Sequence, residues 1–304
     1  MLLLHLAMHL FVILLVPPLL LGVINQTKAR FAGRRGQPLL QPYFDLLRLF
    51  RKGMVLSRTT TWVFRAGPVV GLATALVAAL LLPLGGPAGP ITFEGDLILL
   101  CYVLGLGRFF TVLAALDTGS AFEGMGASRE ATFSALAEPA LFLGLLAFVR
   151  RTGELSLSGM FSSPQSVLWS AAGAPLLLVA ASLLILLLAE NSRVPFDDPN
   201  THLELTMVHE VMVLDHSGPA FGLILYGASI KLFVFAALLV RIIVPFAWLP
   251  GWAGWPVLIV ASLVVAIVVG VIESAIARLR LLQVPRLLIS AALLSGFGLV
   301  LAVR

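Results

Sequence analysis

The sequence has very little charge for its length and almost no cysteine. Charged residues make up 12% of its 304 residues, whereas a soluble globular domain has about 25%. The single cysteine, Cys101, can neither close an internal disulfide nor supply the four thiolates that an iron–sulfur cluster usually requires. We therefore expect neither an ordinary soluble domain nor an iron–sulfur centre within this chain.

Several common functional motifs are also missing. The sequence has no Walker loop and no GxSxG elbow, so nothing in it supports ATP-driven transport or serine-hydrolase chemistry. The formal net charge of +5 is concentrated in loops between apolar runs, which is the pattern that sets membrane topology. We therefore expect no nucleic-acid partner. No polar linker divides the chain, so residues 1–304 are interpreted as one membrane domain.

Apolar residues are abundant and make up 60% of the chain. A helix that crosses a bilayer needs about 20 mostly apolar residues, and eight segments qualify. The predicted fold class is an all-α integral membrane protein, with the lipid bilayer as its solvent. Pro17 and Pro18 are expected to kink or end the first helix. The eight segments are Leu3–Ile24, Ala66–Leu84, Leu97–Leu116, Ala131–Val149, Leu168–Ala189, Leu223–Trp248, Trp255–Glu273 and Leu287–Val303.

The densest group of basic residues lies between the first two predicted helices, so this loop is expected to face the cytoplasm. The cytoplasmic loops are then approximately 25–65, 117–130, 190–222 and 274–286, and both termini face outward. The expected location is the inner (cytoplasmic) membrane of the cell. The basic residues that set this orientation are Lys28, Arg30, Arg34, Arg35, Arg48, Arg51, Lys52, Arg58 and Arg65.

Within the first cytoplasmic loop, Pro42–Lys52 has the pattern of an amphipathic helix. Tyr43, Leu46, Leu47 and Phe50 follow the i, i+3, i+4, i+7 spacing. Such a helix can lie in the membrane interface or pack on the bundle as a surface helix. The sequence leaves both alternatives open.

Ionisable side chains within the apolar segments are the main functional signal. A charge at the bilayer centre costs about 2.5–3.5 kcal/mol on insertion scales. Each such group is therefore either compensated in a buried ion pair, for example Arg108 with Asp117 or Arg129 with Glu130, or part of a polar pathway. Glu130 and Glu138 are about two helical turns apart and should share one helix face. The groups spread over five helices favour a proton path.

The most polar stretch is Glu190–Gly218, which also contains His202, His209 and His216. These histidines could suggest a metal site, but His209 and Glu210 are followed by Val213 where the HExxH spacing requires histidine. Apolar residues such as Phe196 and Leu203 favour a loop folded against the bundle or a partner. We expect no metal and no cofactor bound by the chain itself, although a quinone could be its ligand.

Two groups of motifs resemble a known family. ENSRVPFDDPNTHLEL, Glu190–Leu205, resembles the signature of the complex I membrane subunit that faces the quinone module, and departs from it at Asn200 and His202, where that family often has glutamates. RFFTVLAALDTGSAFEGMGASRE, Arg108–Glu130, with Glu138-Pro139, resembles hydrogenase-4 component C and formate hydrogenlyase subunit 4, as does RRGQPLLQPYFDLLRLFRK, Arg34–Lys52.

The resemblance implies a membrane-anchor and proton-path subunit of a complex I-like hydrogenase, without a complete active site of its own. Its implied partners are a nickel–iron large subunit and an iron–sulfur small subunit on the cytoplasmic side, together with antiporter-like membrane subunits. The predicted proton path comprises Asp117, Glu130, Glu138, Glu190, Asp197, Glu204, Glu210, Lys231 and Glu273. The predicted chamber or docking surface comprises Arg34, Arg35, Asp45, Arg108, Arg129, Arg193, Arg278 and Arg280.

Three other functions stay open from the sequence alone. The chain could be the quinone-site subunit of an NADH- or ferredoxin-type quinone oxidoreductase, because the same helices could line a quinone pocket. It could be a stand-alone secondary transporter, although no inverted repeat is evident. It could also be a purely structural anchor.

Overall fold

The computed structural model describes residues 2–86, 88–163, 173–197, 207–250 and 252–303. Within these ranges the chain is helical and contains no strand. Eight of the described helices are long and apolar enough to cross a membrane. The predicted all-α fold with eight membrane-crossing helices is therefore confirmed.

The eight crossing helices are joined by two shorter ones. Among the described residues, brief 3-10 helices lie at Glu210–Val213, Phe246–Trp248 and Leu281–Gln283. In the described part of the chain the α-helices are α1 (Leu2–Phe31), α2 (Gln41–Phe50), α3 (Trp62–Leu81), α4 (Asp96–Asp117), α5 (Ala121–Thr152), α6 (Leu157–Ser162), α7 (Gly173–Glu190), α8 (Gly218–Ile243), α9 (Gly254–Ala275) and α10 (Val284–Val303).

Helix α8 forms the centre of the bundle. Two thirds of its most apolar 18-residue stretch is buried. Phe233 and Phe235 are among the largest fully buried side chains. Helices α1, α2, α3, α7 and α9 all contact α8, while α5 packs chiefly against α10 and α4 against α3. The outer faces carry exposed Leu, Val and Phe side chains, as expected when lipid replaces water around the protein.

Helix α1 continues through Pro17 and Pro18 rather than ending there. A proline has no N–H, so Pro18 leaves the carbonyl of Leu14 without its usual helical donor. The hydroxyl of Tyr226 on α8 donates to this carbonyl at 2.8 Å, and the hydroxyl of Tyr43 on α2 donates to the neighbouring carbonyl of Leu15. The side chain of Tyr226 thus satisfies one of the two carbonyls that the proline pair leaves without a helical donor.

Helix α5 begins ten residues before the predicted start, at Ala121 instead of Ala131. Most of the stretch 117–130, predicted as a cytoplasmic loop, is therefore helical, and only a short turn at 118–120 separates α4 from α5. The hydropathy pattern missed this extension because Glu123, Arg129 and Glu130 interrupt the apolar run. Helix α8 is displaced in the same direction, beginning at Gly218 rather than Leu223.

The amphipathic helix predicted at Pro42–Lys52 is α2, Gln41–Phe50. It packs against α8 and α1, which fits the surface-helix alternative. Phe44 and Leu47 nevertheless remain exposed on its other side, so the same helix also presents the apolar face that an interfacial position requires.

Candidate functional site

A buried ion network centres on Arg108 of α4, whose side chain is 7% exposed. Its guanidinium pairs with three carboxylates: Glu130 at 3.1 Å, Glu138 at 2.7 Å and Glu190. Glu130 and Glu138 both come from α5, as their two-turn spacing predicted, and Glu190 is the last residue of α7. Arginine suits this position because its planar fork presents five donors in fixed directions.

Two further side chains complete the network. Lys231 of α8 donates to Glu190 at 2.8 Å, and His209 places Nδ1 3.2 Å from Glu130. A carboxylate at the C-terminal end of a helix is disfavoured by the helix dipole, so the two cations beside Glu190 offset both this effect and the cost of burial. We call Arg108, Glu130, Glu138, Glu190, Lys231 and His209 the central network.

The charges of the central network do not balance when all its carboxylates are ionised. Three carboxylates face two permanent cations and one histidine. One bound proton, on His209 or on a carboxylate, makes the group neutral. Since an uncompensated charge in a low-dielectric interior is costly, the geometry favours binding one proton and allows it to be shared among neighbouring sites.

A second polar group joins the central network to the side of the bundle that carries the long loop after α7. Buried Asp197 accepts hydrogen bonds from the backbone N–H groups of Val208 and His209 at 3.0 and 3.1 Å. Arg278 pairs with its other oxygen at 2.9 Å. The side chain of His209 reaches Glu130 while its backbone binds Asp197, so His209 links the two groups directly.

Cavities adjoin the central network on both sides. A cavity of about 30 Å³ is lined by Glu130, Glu190, Ser192, Asp197 and His209 among others. A second cavity of about 110 Å³ is lined by Lys231, Thr74 and Thr111 as well as by Arg108 and Glu130. The linings of both cavities are largely apolar, but their charged and hydroxyl side chains offer hydrogen-bond partners for water molecules, and proton transfer between separated carboxylates requires such water.

Glu273, near the C-terminal end of α9, forms a separate ion cluster. It pairs with Lys28 of α1 at 2.8 Å and with Arg193 at 3.5 Å. Burial lowers the pKa of Arg193, an effect that the neighbouring Glu273 opposes. This cluster ties α1, α9 and the segment after α7 together, and the described contacts do not connect it to Arg108.

The other residues predicted for the site lie elsewhere. Asp117 accepts hydrogen bonds from the backbone N–H groups of Thr61 and Phe64 at 2.7 and 3.2 Å, and so holds the start of α3. Arg129 donates to the carbonyl of Met207 at 2.8 Å, and Glu210 opens the 3-10 helix next to His209. Glu204 lies outside the described residues. Asp45 on α2 accepts a hydrogen bond from the side chain of Gln41. Three arginines of the predicted docking surface are exposed: Arg34, Arg35 and Arg280.

Sequence reasoning missed several buried polar groups. From the sequence His209 suggested only a metal ligand, because no sequence pattern relates it to Glu130. Glu123 is 1% exposed and accepts from the backbone N–H of Asp215 at 3.3 Å. Asp96 at the start of α4 is fully buried and accepts from the N–H of Leu157 at 2.6 Å. The position of Asp96 directly after a glycine, at a helix start, was an available capping signal.

His216, beyond the central network, is also buried and stacks on Phe64 with ring centroids 3.9 Å apart. Burial lowers its pKa to about 4, against an opposing effect of Asp215. A neutral imidazole ring suits this apolar environment. The stacked ring holds the segment before α8 against Phe64 of α3.

The fold is that of a multi-pass membrane protein whose helices bury linked carboxylates and cations. The family model described as NADH dehydrogenase matches residues 4–303. The chain belongs to this family, of the complex I subunit 1 type, and the resemblance stated from its motifs is confirmed.

Relatives include formate hydrogenlyase subunit 4 of Escherichia coli K12, which is 34% identical over 91% of either chain. Hydrogenase-4 component C of the same organism is 36% identical, over 77% of this chain and 73% of the relative. An NADH-quinone oxidoreductase subunit of Paraburkholderia xenovorans is 25% identical over 71% of this chain and 61% of its own length.

The fold is shared with a chain of the membrane-bound sulfane sulfur reductase, an archaeal respiratory membrane complex. The TM-score is 0.84 at 24% sequence identity, with 97% of this chain and 98% of the other covered.

Proposed function

We propose that this chain, a membrane subunit of a complex I-like complex, transfers protons through its central network and docks the soluble redox arm of a hydrogenase-type assembly. The observation that carries the proposal is the buried charge imbalance around Arg108. Three carboxylates, two fixed cations and a histidine form a site that is neutral only with one added proton.

The route for this proton runs from the inner side of the bundle. Asp197 and His209, in the segment after α7, lead to Glu130, and the small cavity beside Ser192 is lined by all three residues. Glu190 and Glu138 pair with the same guanidinium as Glu130, and the proton passes from Glu130 to these two neighbouring carboxylates. Redox chemistry at a docked arm would shift the charge or position of the cytoplasmic loops and so change the proton affinity of the network, as in any pair of linked equilibria.

The partners in this proposal are a nickel–iron large subunit, an iron–sulfur small subunit and antiporter-like membrane subunits. Support comes from the similarity to hydrogenase-4 component C and formate hydrogenlyase subunit 4. Exposed arginines of the inner loops, Arg34, Arg35 and Arg280, offer a basic docking surface. The membrane is then the inner membrane of the cell, and the chain holds no cofactor of its own.

The test replaces Glu190 by Gln in the assembled complex. With this change two carboxylates face two cations, so the site is neutral without an added proton. We expect proton translocation by the complex in sealed vesicles to fall about 100-fold, the lower end of what a positioned proton-transfer group typically contributes, while electron transfer in the soluble arm continues. Proton uptake is measured with a pH-sensitive dye, and electron transfer with reduced viologen as donor.

The matched control is Glu154→Gln, because Glu154 is an exposed glutamate in the turn after α5. Its removal should leave translocation unchanged. Normal translocation by the Glu190→Gln complex, at normal assembly, would leave only a structural anchor.

A further inference from the structure

The described hydrogen bonds of Asp197 do not by themselves form a path for protons. One carboxylate oxygen accepts from the backbone N–H groups of Val208 and His209, and the other pairs with Arg278. His209 therefore contacts Asp197 through its backbone and not through its ring. Backbone amides and a guanidinium keep their protons, so none of these donors can pass one on. A proton at Asp197 needs another group to carry it to the central network.

Ser192, two residues after the end of α7, adjoins these groups. Its hydroxyl oxygen is buried and has no hydrogen-bond partner in the part of the chain that the structure describes. The residue lines the cavity of about 30 Å³ together with Asp197, Glu190 and Glu130. A buried hydroxyl without a partner is costly, so this one indicates water inside the cavity. Since one water needs about 10–15 Å³ of such volume, there is room for about two.

The backbone of Ser192 shows that the fold does not require a serine at this position. Its φ is 52°, in the left-handed region that favours glycine. The N–H groups of Ser192 and Arg193 donate to the carbonyls of Ala189 and Leu188 at 3.3 and 2.9 Å. This pair of bonds is the Schellman motif that ends many helices, usually with glycine in the left-handed position. Serine has a conformational cost there, and residues held in such conformations cluster at functional sites.

We infer that Ser192 is a proton-relay residue, whose hydroxyl and the water molecules beside it connect Asp197 to Glu190 and Glu130. A hydroxyl is both a donor and an acceptor. It takes a proton from one neighbour while it gives its own proton to the next, so it has no net charge afterwards. The inference rests on the proposed function, and it names the group that the direct contacts of Asp197 lack.

The first experiment compares Ser192→Ala with Ser192→Gly in the assembled complex. Alanine removes the hydroxyl oxygen and keeps the methylene carbon, whereas glycine removes both and leaves more room for a replacement water. We expect proton translocation to fall several-fold in the Ala complex and to recover most of the parent rate in the Gly complex. The melting temperature should stay at the parent value with alanine and be equal or higher with glycine, which fits the left-handed backbone.

Three results would overturn the relay. They are a parent-like rate in the Ala complex, a Gly complex as slow as the Ala complex, and a loss in the Ala complex matched by a lower melting temperature, which assigns a structural role. Electron transfer from reduced viologen is measured in parallel. The matched control is Ser290→Ala, because Ser290 is a partly buried serine of α10 whose hydroxyl donates to the carbonyl of Leu287 at 2.8 Å. The control should leave rate and melting temperature unchanged.

The second experiment does not depend on proton movement. In a structure of the complex that resolves bound water, we expect a water about 2.7–2.8 Å from the Ser192 hydroxyl oxygen, bridging it to a carboxylate of the cavity. A hydroxyl without such a water, or bonded to a protein group instead, would overturn the inference.

Failure of the relay is distinguishable from failure of the proposed function. Lost translocation after Glu190→Gln, together with a parent-like rate after Ser192→Ala, refutes the relay and keeps the proton path. Normal translocation after Glu190→Gln refutes the proton path, and the water at Ser192 then has only a structural role.

Discussion

At the scale of single residues, Arg108 has the largest predicted effect on stability. Replacing it by Ala leaves three carboxylates with Lys231 as their one permanent cation. Breaking a buried pair by removing one partner typically costs about 3–5 kcal/mol. We expect Arg108→Ala to lower the thermal unfolding temperature of the purified protein in detergent, and the loss to be smaller at acidic pH, where protonation neutralises the carboxylates.

Two variants provide the controls for this prediction. Arg108→Lys keeps the charge but not the three-way fork, so its effect should be intermediate. Arg35→Ala removes an exposed arginine and should change stability by less than about 0.5 kcal/mol. An Arg108→Ala protein as stable as the parent at neutral pH would show that the network contributes no net stability.

Because His216 is buried with a lowered pKa, we expect the stability of the protein to fall as the pH is lowered. Its folded pKa of about 4 lies below the ordinary value of 6.5 because burial disfavours the charged ring. Between these two values the unfolded chain binds more protons, so the free energy of unfolding rises with pH there, by up to about 3 kcal/mol. The stabilisation is fully present above pH 6.5 and lost as the pH falls toward 4.

His216→Phe should remove this contribution while keeping a ring stacked on Phe64. Unfolding followed from pH 4 to pH 8 in detergent measures the difference between parent and variant. Parallel curves for the two proteins would mean that His216 titrates normally in the folded state.

The site residues that could be predicted from the sequence were the charged residues that lie within apolar segments. Arg108, Glu138, Glu190 and Lys231 stand out in this way, and they meet in one network. Their pairing could not be predicted: the sequence suggested Arg108 with Asp117, whereas Asp117 holds the start of α3. Proximity between α4, α5, α7 and α8 is set by packing, which hydropathy does not encode.

At the scale of helices, the proline pair in α1 shows how one element is completed by another. The hydroxyl of Tyr226 supplies the donor that Pro18 cannot give to Leu14. We expect Tyr226→Phe to destabilise the protein by about 1–2 kcal/mol, because a carbonyl away from water loses its partner. In a Pro18→Ala background, where the helical N–H is restored, the same substitution should cost much less.

The four proteins of this double-mutant cycle are compared by thermal unfolding in the same detergent. A coupling energy near zero would show that the tyrosine hydroxyl does not compensate for the proline. Tyr43 is left unchanged throughout, since its bond to Leu15 serves a neighbouring carbonyl.

Helix existence was predictable from hydropathy, but helix ends were not. The α2 pattern placed an amphipathic helix within two residues of its observed bounds because its apolar spacing is regular. The start of α5 was missed because polar residues there are buried by the segment 207–217, with Glu123 accepting from the N–H of Asp215. The first turns of α5 carry charged residues, so their sequence resembles that of a loop. They are helical because a segment distant in the sequence covers them.

At the scale of the whole molecule, the polar groups are distributed unevenly between the two sides. Asp197, Arg278 and the Glu273 cluster lie on the side of the bundle that carries the two longest connections between crossing helices, residues 32–61 and 191–217. The central network is therefore linked by polar groups, through His209 and Asp197, to this side of the bundle. In the proposed function, protons enter the network from this side.

This arrangement requires the long basic loops to face the cytoplasm, as the positive-inside rule predicts. The single cysteine makes the test direct. In a Cys101→Ala background, Glu94→Cys lies in an exposed turn on the predicted outer side, and Ser57→Cys in the exposed loop between α2 and α3 on the inner side. A membrane-impermeant maleimide added to intact spheroplasts should label the cysteine at 94 and leave the one at 57 unlabelled until detergent is added. The reverse pattern would place Asp197 and the basic loops on the outer side, so that protons could not enter the network from the cytoplasm.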